Sequence, residues 1–322
     1  MAEMADDRFT LGGEYLLLGL ELFDQERAQI DAGRTWAIAH ADDQVAAELL
    51  LHYINATTVI GDLRYDLSRE RIPQYEAALR VARQLGNRRN EAALLDRLGV
   101  IHKNLGRVRQ AKALHEQALV IAREQKDREG EGGILGNLGN VYLRLGEPQQ
   151  AIAFYEQALV IARELGSQEE EGSALGNLGN LGNAYANLGD FQRALDCFSQ
   201  SLRIAREQGD RLSEGNAFGN MGRVYALLGD TQQAVALYGQ RLLIARELGD
   251  RRGEASVSWN LGLEFAKQGD LARAIAMMEV WMDFHRESDH PDTESNAARL
   301  EQLRQRLAAS QTPLPADTPD EG

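Results

Sequence analysis

Nine residues, EQALVIARE, stand at Glu116 to Glu124 and again, unchanged, at Glu156 to Glu164, forty positions later. Variants follow at Ser201 to Glu207 (SLRIARE) and Arg241 to Glu247 (RLLIARE). A sequence that copies itself at a fixed step builds similar modules that stack on their neighbours, which constrains the fold more than any local propensity does. Upstream of each copy lies a second signature: RLGVIHKNLG ending at Gly106, NLGNVYLRLG at Gly146, NLGNAYANLG at Gly189, NMGRVYALLG at Gly229 and NLGLEFAKQG at Gly269. Five repeats result, 87–126, 127–166, 167–209, 210–249 and 250–289, the third three residues longer than the rest.

Each repeat reads as two helices. In the second, Leu135, Leu138, Gly139 and Tyr142 share one face, the break at Leu145-Gly146-Glu147-Pro148 ends that helix, and Pro148 suits the first turn of the next. The following helix turns Ala151, Ile152, Tyr155, Ala158, Leu159 and Ala162 inward, and Gly166 stops it. Only 6% of the residues are aromatic and six are proline, a helix-forming composition in which strands are not expected. Gly99, Gly139, Gly182, Gly222 and Gly262 fall inside helices, each at a cost of about 1 kcal/mol relative to alanine. Close approach of the next helix at Ala111, Ala151, Ala194, Ala234 and Ala274 is the expected compensation.

This order of small and large residues resembles the tetratricopeptide repeat over roughly residues 87–290. The implied fold is all-α, a right-handed superhelical solenoid of antiparallel helix pairs. The forty-residue length and the triplets Leu138-Gly139-Asn140 and Leu181-Gly182-Asn183 resemble the Leu-Gly-Asn adaptors of spindle orientation. They equally resemble the repeat regions of bacterial NB-ARC signalling ATPases. Leu22 to Arg27 and Gly33 to Trp36 resemble the segment joining such an ATPase to its repeats, yet no GxxxxGK[ST] phosphate loop is present.

Residues 1–86 read as a helical region with apolar faces at 23–41, 43–60 and 68–85, the last a degenerate repeat. Residues 290–309 suit a capping helix with Ala297, Leu300, Leu303 and Leu307 inward, and 310–322 a disordered tail. Before that tail nothing reads as a hinge, so a single elongated body is expected. In the third repeat NLGNLGN at Asn177 to Asn183 doubles the triplet; Tyr185 keeps register with Leu181-Gly182, which should hold the core position while the surplus is absorbed upstream.

Stacked repeats line a concave groove with their leading helices. Opposite the core face, 100° per residue selects Ala93, Arg97, Val100 and Asn104 in the first repeat and Gly133, Asn137, Asn140 and Arg144 in the second. In the third it selects Gly176, Asn180, Asn183 and Asn187, in the fourth Asn216, Asn220, Arg223 and Leu227, and in the fifth Ser256, Asn260, Leu263 and Lys267. None of these is acidic although the chain has 49 Asp and Glu, while Asn137, Asn180, Asn220 and Asn260 form a ladder at one equivalent position. A carboxamide pairs with both the N–H and the C=O of an extended peptide, and Arg97, Arg144, Arg223 and Lys267 favour carboxylates on it. The resemblance to the adaptors implies the same use of groove asparagines. The competing readings are that these side chains brace neighbouring repeats or form a solvated face.

The expected function is a non-catalytic protein-interaction scaffold binding an extended, acidic peptide segment. The alternatives are a sensing or autoinhibitory module of an NB-ARC-type system, and a self-assembling solenoid in which the chain is its own partner. A net charge of −14 without a continuous basic block argues against nucleic-acid and membrane partners. The single cysteine, Cys197, suits a reducing compartment, the cytoplasm by default, and reads as a buried apolar residue. His285, Asp289 and His290 near a helix end make a poor metal set, and no cofactor, metal site or catalytic constellation is expected.

Overall fold

The computed structural model describes residues 14–166, 168–286 and 292–311. All regular structure among them is helical. Helices α1 (Glu14–Ala39), α2 (Gln44–Asn55), α3 (Thr58–Arg64) and α4 (Ile72–Gln84) come first, with a π-helical turn at Leu67–Arg71. Five pairs follow: α5 (Arg88–Asn104) with α6 (Val108–Glu124), α7 (Arg128–Arg144) with α8 (Pro148–Leu165), α9 (Gln168–Asn187) with α10 (Phe191–Gln208), α11 (Arg211–Leu228) with α12 (Thr231–Glu247), and α13 (Arg251–Lys267) with α14 (Leu271–His285). Helix α15 (Thr293–Gln311) ends the described chain, two residues past the expected limit of 309. Asp289, His290 and the tail from 312 lie outside the described residues. Where one body was expected, contacts divide the chain into two, Met1–Glu170 and Glu171–Gly322.

Local chemistry sets the helix ends. The carboxylates of Asp127, Asp210 and Asp250 accept from the backbone N–H of Gly130, Ser213 and Gly253 at 3.0, 3.0 and 2.8 Å, satisfying an orphan donor of α7, α11 and α13. Each such cap contributes about 1 kcal/mol. The turns after α6, α8, α10 and α12 pass through the left-handed region, taken by Gly166 at φ 60°, Gly209 at φ 69° and Gly249 at φ 66°, but after α6 by Lys126 at φ 56°.

The glycines inside the leading helices lie closest to a large side chain of the trailing helix, and at Gly262 the expected alanine also approaches, its Ala274 carbonyl lying 2.9 Å from where a Cβ would stand. A Cβ on Gly139 would lie 2.5 Å from the Tyr155 ring, on Gly99 2.5 Å from His115, on Gly182 2.6 Å from Phe198, on Gly222 2.8 Å from Tyr238 and on Gly262 2.6 Å from Met278. Ala111, Ala151, Ala194, Ala234 and Ala274 are fully buried at the crossings. One turn further along the trailing helix a large side chain lies across the glycine, and that ring or thioether needs the missing Cβ. In the third repeat Gly182 meets Phe198 while Gly179 meets nothing, so Leu181-Gly182 holds the core register and the three extra residues lengthen α9 to 20 residues against 17 in α7.

Between consecutive pairs a buried glutamate joins two arginines. Glu131 accepts from Arg123 at 2.8 Å and Arg128 at 2.7 Å, and Arg128 also reaches Glu164. Glu91 with Arg83 and Arg88, and Glu214 with Arg206 and Arg211, repeat the arrangement. Burial pushes the Glu91 and Glu131 carboxyls up, but their two arginines outweigh it and hold both below the usual carboxylate range. At Glu214 the Arg206 hydrogen bond is the largest influence and the net direction is also downward.

Flanking elements close the ends of the two bodies. In the N-terminal one, Phe23, Ile30, Ile60 and Tyr65 form a small core, and the guanidinium of fully buried Arg71 is used up on Asp62 (2.6 Å), the Thr57 carbonyl (2.5 Å), Gln74 (3.1 Å) and Tyr75 (3.0 Å). In the C-terminal one, Leu300 and Leu303 of α15 join Tyr238, Leu261, Phe265 and Met278. Ala297, expected inward, is exposed, and Leu307 is half-buried. Buried Cys197 sits on α10.

Candidate functional site

The two bodies treat the selected polar face differently. In the N-terminal body Asn137 is not open: its amide donates to both carboxylate oxygens of Asp96 on α5, at 3.1 and 3.2 Å, and Asp96 also bonds His115 Nδ1 at 2.7 Å. His115 lies at 0% exposure over Gly99. The expectation of an acid-free face therefore fails here, because Asp96, one helical step outside the selected positions, reaches the carboxamide of the next repeat. Asn140 accepts from Tyr155 Oη at 2.8 Å, and Arg144 donates to the Lys103 carbonyl at 3.4 Å. Burial, then the neighbouring Arg144 charge, lowers the Lys103 ammonium. Of these contacts, those of Asn137 and Arg144 tie the second repeat to the first, and that of Asn140 lies within the second repeat. Arg97, Asn104, Ala93 and Gly133 are exposed and Val100 is half-buried.

In the C-terminal body the same helical positions open onto a cavity of about 600 Å³. Asn180 and Asn183 of α9, Asn216, Asn220 and Arg223 of α11, and Asn260 of α13 all line it. Gly176 and Ser256 contribute from the same face, and Gly172, Gly179, Gly219 and Gly253 leave it room. Among the described residues nothing hydrogen-bonds the side chains of Asn216, Asn220 or Asn260, which are half-buried except for exposed Asn216. Arg223 Nη2 donates to Asn183 Oδ1 at 2.6 Å, spanning two repeats while lining the cavity. Lys267 does not line the cavity and donates to Glu264 Oε1 at 2.6 Å, one turn back on α13. Asn187 and Leu227 are exposed and Leu263 is half-buried, and none of these three lines the cavity.

A 41-residue spacing accounts for the contrast. Asn137 meets the residue 41 positions before it, Asp96. The residues 41 before Asn220 and Asn260 are Gly179 and Gly219, which carry no side chain to occupy the carboxamides.

Two lining residues come from the trailing helix α12 and were not among the selected positions. Tyr238 is buried against Gly222, and burial pushes its hydroxyl up to about 12. Arg241 is only 8% exposed and donates through Nη2 to Asp250 Oδ2 at 2.8 Å. The Gly253 amide holds Asp250 below the usual carboxylate range, and Arg241 adds to this against the opposing influence of burial. A signal for Arg241 existed: within the copied motif, Ala118, Ala158 and Ser201 stand where it stands. Among the described residues no three His, Cys, Asp or Glu gather as a metal site, and no helix is long and apolar enough to cross a membrane.

Family profiles of the tetratricopeptide repeat match residues 92–124, 130–181 and 173–244. No curated protein sequence matches the chain. Among solved structures it resembles BtubC (BKLC) from P. vanneervenii, at TM-score 0.55 and 21% identity over 79% of this chain and 96% of that one. It also resembles a signal transduction ATPase with numerous domains bearing a tetratricopeptide repeat sensor, from Pyrococcus horikoshii, at TM-score 0.65 and 12% identity over 93% of this chain and 45% of that one. The apo form of the quorum sensor NprR from B. thuringiensis aligns at TM-score 0.57 and 18% identity over 88% of this chain and 82% of that one. At such identities the likeness is one of fold. With the profiles and the helix pairs in agreement, the chain carries tetratricopeptide repeats over the matched residues.

Proposed function

We propose that the chain is a non-catalytic interaction scaffold whose C-terminal body binds an extended peptide segment bearing Asp or Glu, in the cavity lined by α9, α11 and α13. What carries the reading is the convergence of Asn180, Asn220 and Asn260, from three successive leading helices, on one cavity that also holds Arg223. Carboxamides at successive repeats match the alternating N–H and C=O groups of an extended main chain, and a guanidinium adds preference for a carboxylate. Asn183, through Arg223, fixes the position of that charge, and Asn216 widens the donor set. The N-terminal body is assigned no ligand, since Asn137, Asn140 and Arg144 have hydrogen-bond partners within it.

The test is selection of capped random decapeptides on the full chain, with dissociation constants measured for the peptides obtained. Enrichment of Asp or Glu, affinity that falls with salt, and weakening of about tenfold or more, roughly 1.4 kcal/mol, in Asn220→Ala/Asn260→Ala are expected. Undiminished affinity in that variant sinks the reading. A second reading, a sensor module acting with a separate ATPase, draws on the likeness to the Pyrococcus horikoshii signal transduction ATPase, whose tetratricopeptide repeats are a sensor. It requires an ATPase that co-purifies with the native protein.

A further inference from the structure

Arg241 is built into the cavity wall at a cost. Its equivalents in the preceding repeats are the small residues Ala118, Ala158 and Ser201, and glycines accommodate it on two sides, at Gly215 and Gly253. A Cβ on Gly215 would lie 2.7 Å from its Nη1, one on Gly253 2.4 Å from its Nη2, and one on Gly219 3.6 Å from its Cγ. The bond to Asp250 accounts for Nη2 alone. Nη1 is buried and has no hydrogen-bond partner among the described residues. An unanswered buried donor costs about 1 to 3 kcal/mol, and more when charged, so a purely structural tie to Asp250 leaves half of this guanidinium unexplained.

We infer that Arg241 is the anchor for one carboxylate of the bound ligand, the acidic side chain of a peptide, and so sets the specificity of the cavity. This rests on the reading that the cavity takes a peptide, and it names which group selects the acid. The lining carries two guanidinium groups, Arg223 and Arg241, against one carboxylate, Asp210. With Asp250 paired to Arg241 the surroundings are close to neutral, so a monoanion leaves less uncompensated negative charge in a partly enclosed site than a dianionic phosphate does. Asn216, Asn220, Asn260 and Ser256 add neutral donors around the same space, suited to the second carboxylate oxygen and the adjoining main chain. Arg223, already donating to Asn183, steers the ligand, and Arg241 holds it.

The experiment is a titration of the full chain, carrying isotope-labelled arginine, followed by NMR of the guanidinium signals, with the Arg241 signal identified by its loss in Arg241→Lys. The probes are N-acetyl-aspartate amide, N-acetyl-asparagine amide and inorganic phosphate. The expected result is a saturable shift of the Arg241 signal with the aspartate probe, at least about tenfold weaker binding of the asparagine probe, and phosphate no tighter than aspartate. No saturable shift, an equal response to both amides, or tighter phosphate binding overturns the assignment. A thermal midpoint for Arg241→Lys close to that of the parent chain shows that the fold is kept. If Arg241 answers the aspartate probe but selected peptides ignore Asn220→Ala/Asn260→Ala, the anchor stands and the peptide reading fails. If peptides bind through the asparagines while Arg241 answers no carboxylate, the reverse holds.

Discussion

The second and fifth repeats place an asparagine at the same helical position, Asn137 and Asn260, and use it in opposite ways. Asn137 is closed off by Asp96, itself tied to buried His115, so that three polar side chains knit α5, α6 and α7 together. Asn260 faces a cavity, because the residue in Asp96's place is Gly219. A shared motif position therefore does not carry a shared role. The occupant of one other position, 41 residues upstream on the preceding leading helix, decides whether a carboxamide braces the stack or remains available.

Breaking the closed side of this comparison should have the largest effect. Asp96→Ala removes the acceptor for both Asn137 and a His115 at 0% exposure, and should cost about 2 kcal/mol, read as a lower denaturant midpoint. Asp96→Asn, which keeps a carbonyl acceptor, should lose less. Unchanged stability in Asp96→Ala would mean that the brace contributes nothing.

Transplanting the closure is the converse. Gly219→Asp copies Asp96 into the C-terminal body, and there is space, since a Cβ there meets only Arg241 at ordinary contact distance. It should capture Asn260, add negative charge to the cavity and weaken selected acidic peptides by about tenfold, near 1.4 kcal/mol, with the fold intact. Binding that survives this change would show that the glycine is irrelevant to the open state.

The smallest difference lies in the arginine-paired glutamates, where the two bodies agree in design. Glu131→Gln and Glu214→Gln should each cost about 1 kcal/mol near neutral pH, since their arginine partners are largely exposed. Because the folded carboxyls titrate below the unfolded value of about 4.3, their contribution is complete above that pH and is lost as pH falls through the folded values. The gap between parent and variant, measured by denaturation at descending pH, should therefore shrink toward zero in acid. A gap that stays constant would assign the loss to packing.

Much of the scaffold could be read from the chain. The forty-residue step, the aspartate caps and the turn glycines specify helix pairs because they act within a few residues of backbone. The doubled Leu-Gly-Asn also resolved from register, through Tyr185. The glycine partners were read only in part, since spacing shows that a helix face is small but not that a large side chain such as the Tyr155 ring lies nearer to it than the alanine does. Asp96 was passed over for sitting one helical step off the selected face, and Arg241 because a trailing helix was not expected to reach the cavity.

By itself, then, the sequence determined the number and pairing of the helices within the five repeats, whose patterns are periodic and locally enforced, but not those before them, where the segment read as 43–60 is two helices, Gln44–Asn55 and Thr58–Arg64. Only the tertiary structure decided which carboxamides are engaged, which cations are neutralised, as Lys267 is by Glu264, and where a buried guanidinium retains an unused donor. Hydrogen bonds between side chains some forty residues apart depend on angstrom-level placement of neighbouring helices, and a repeat that specifies the helices leaves each such pairing to the residue that happens to stand opposite.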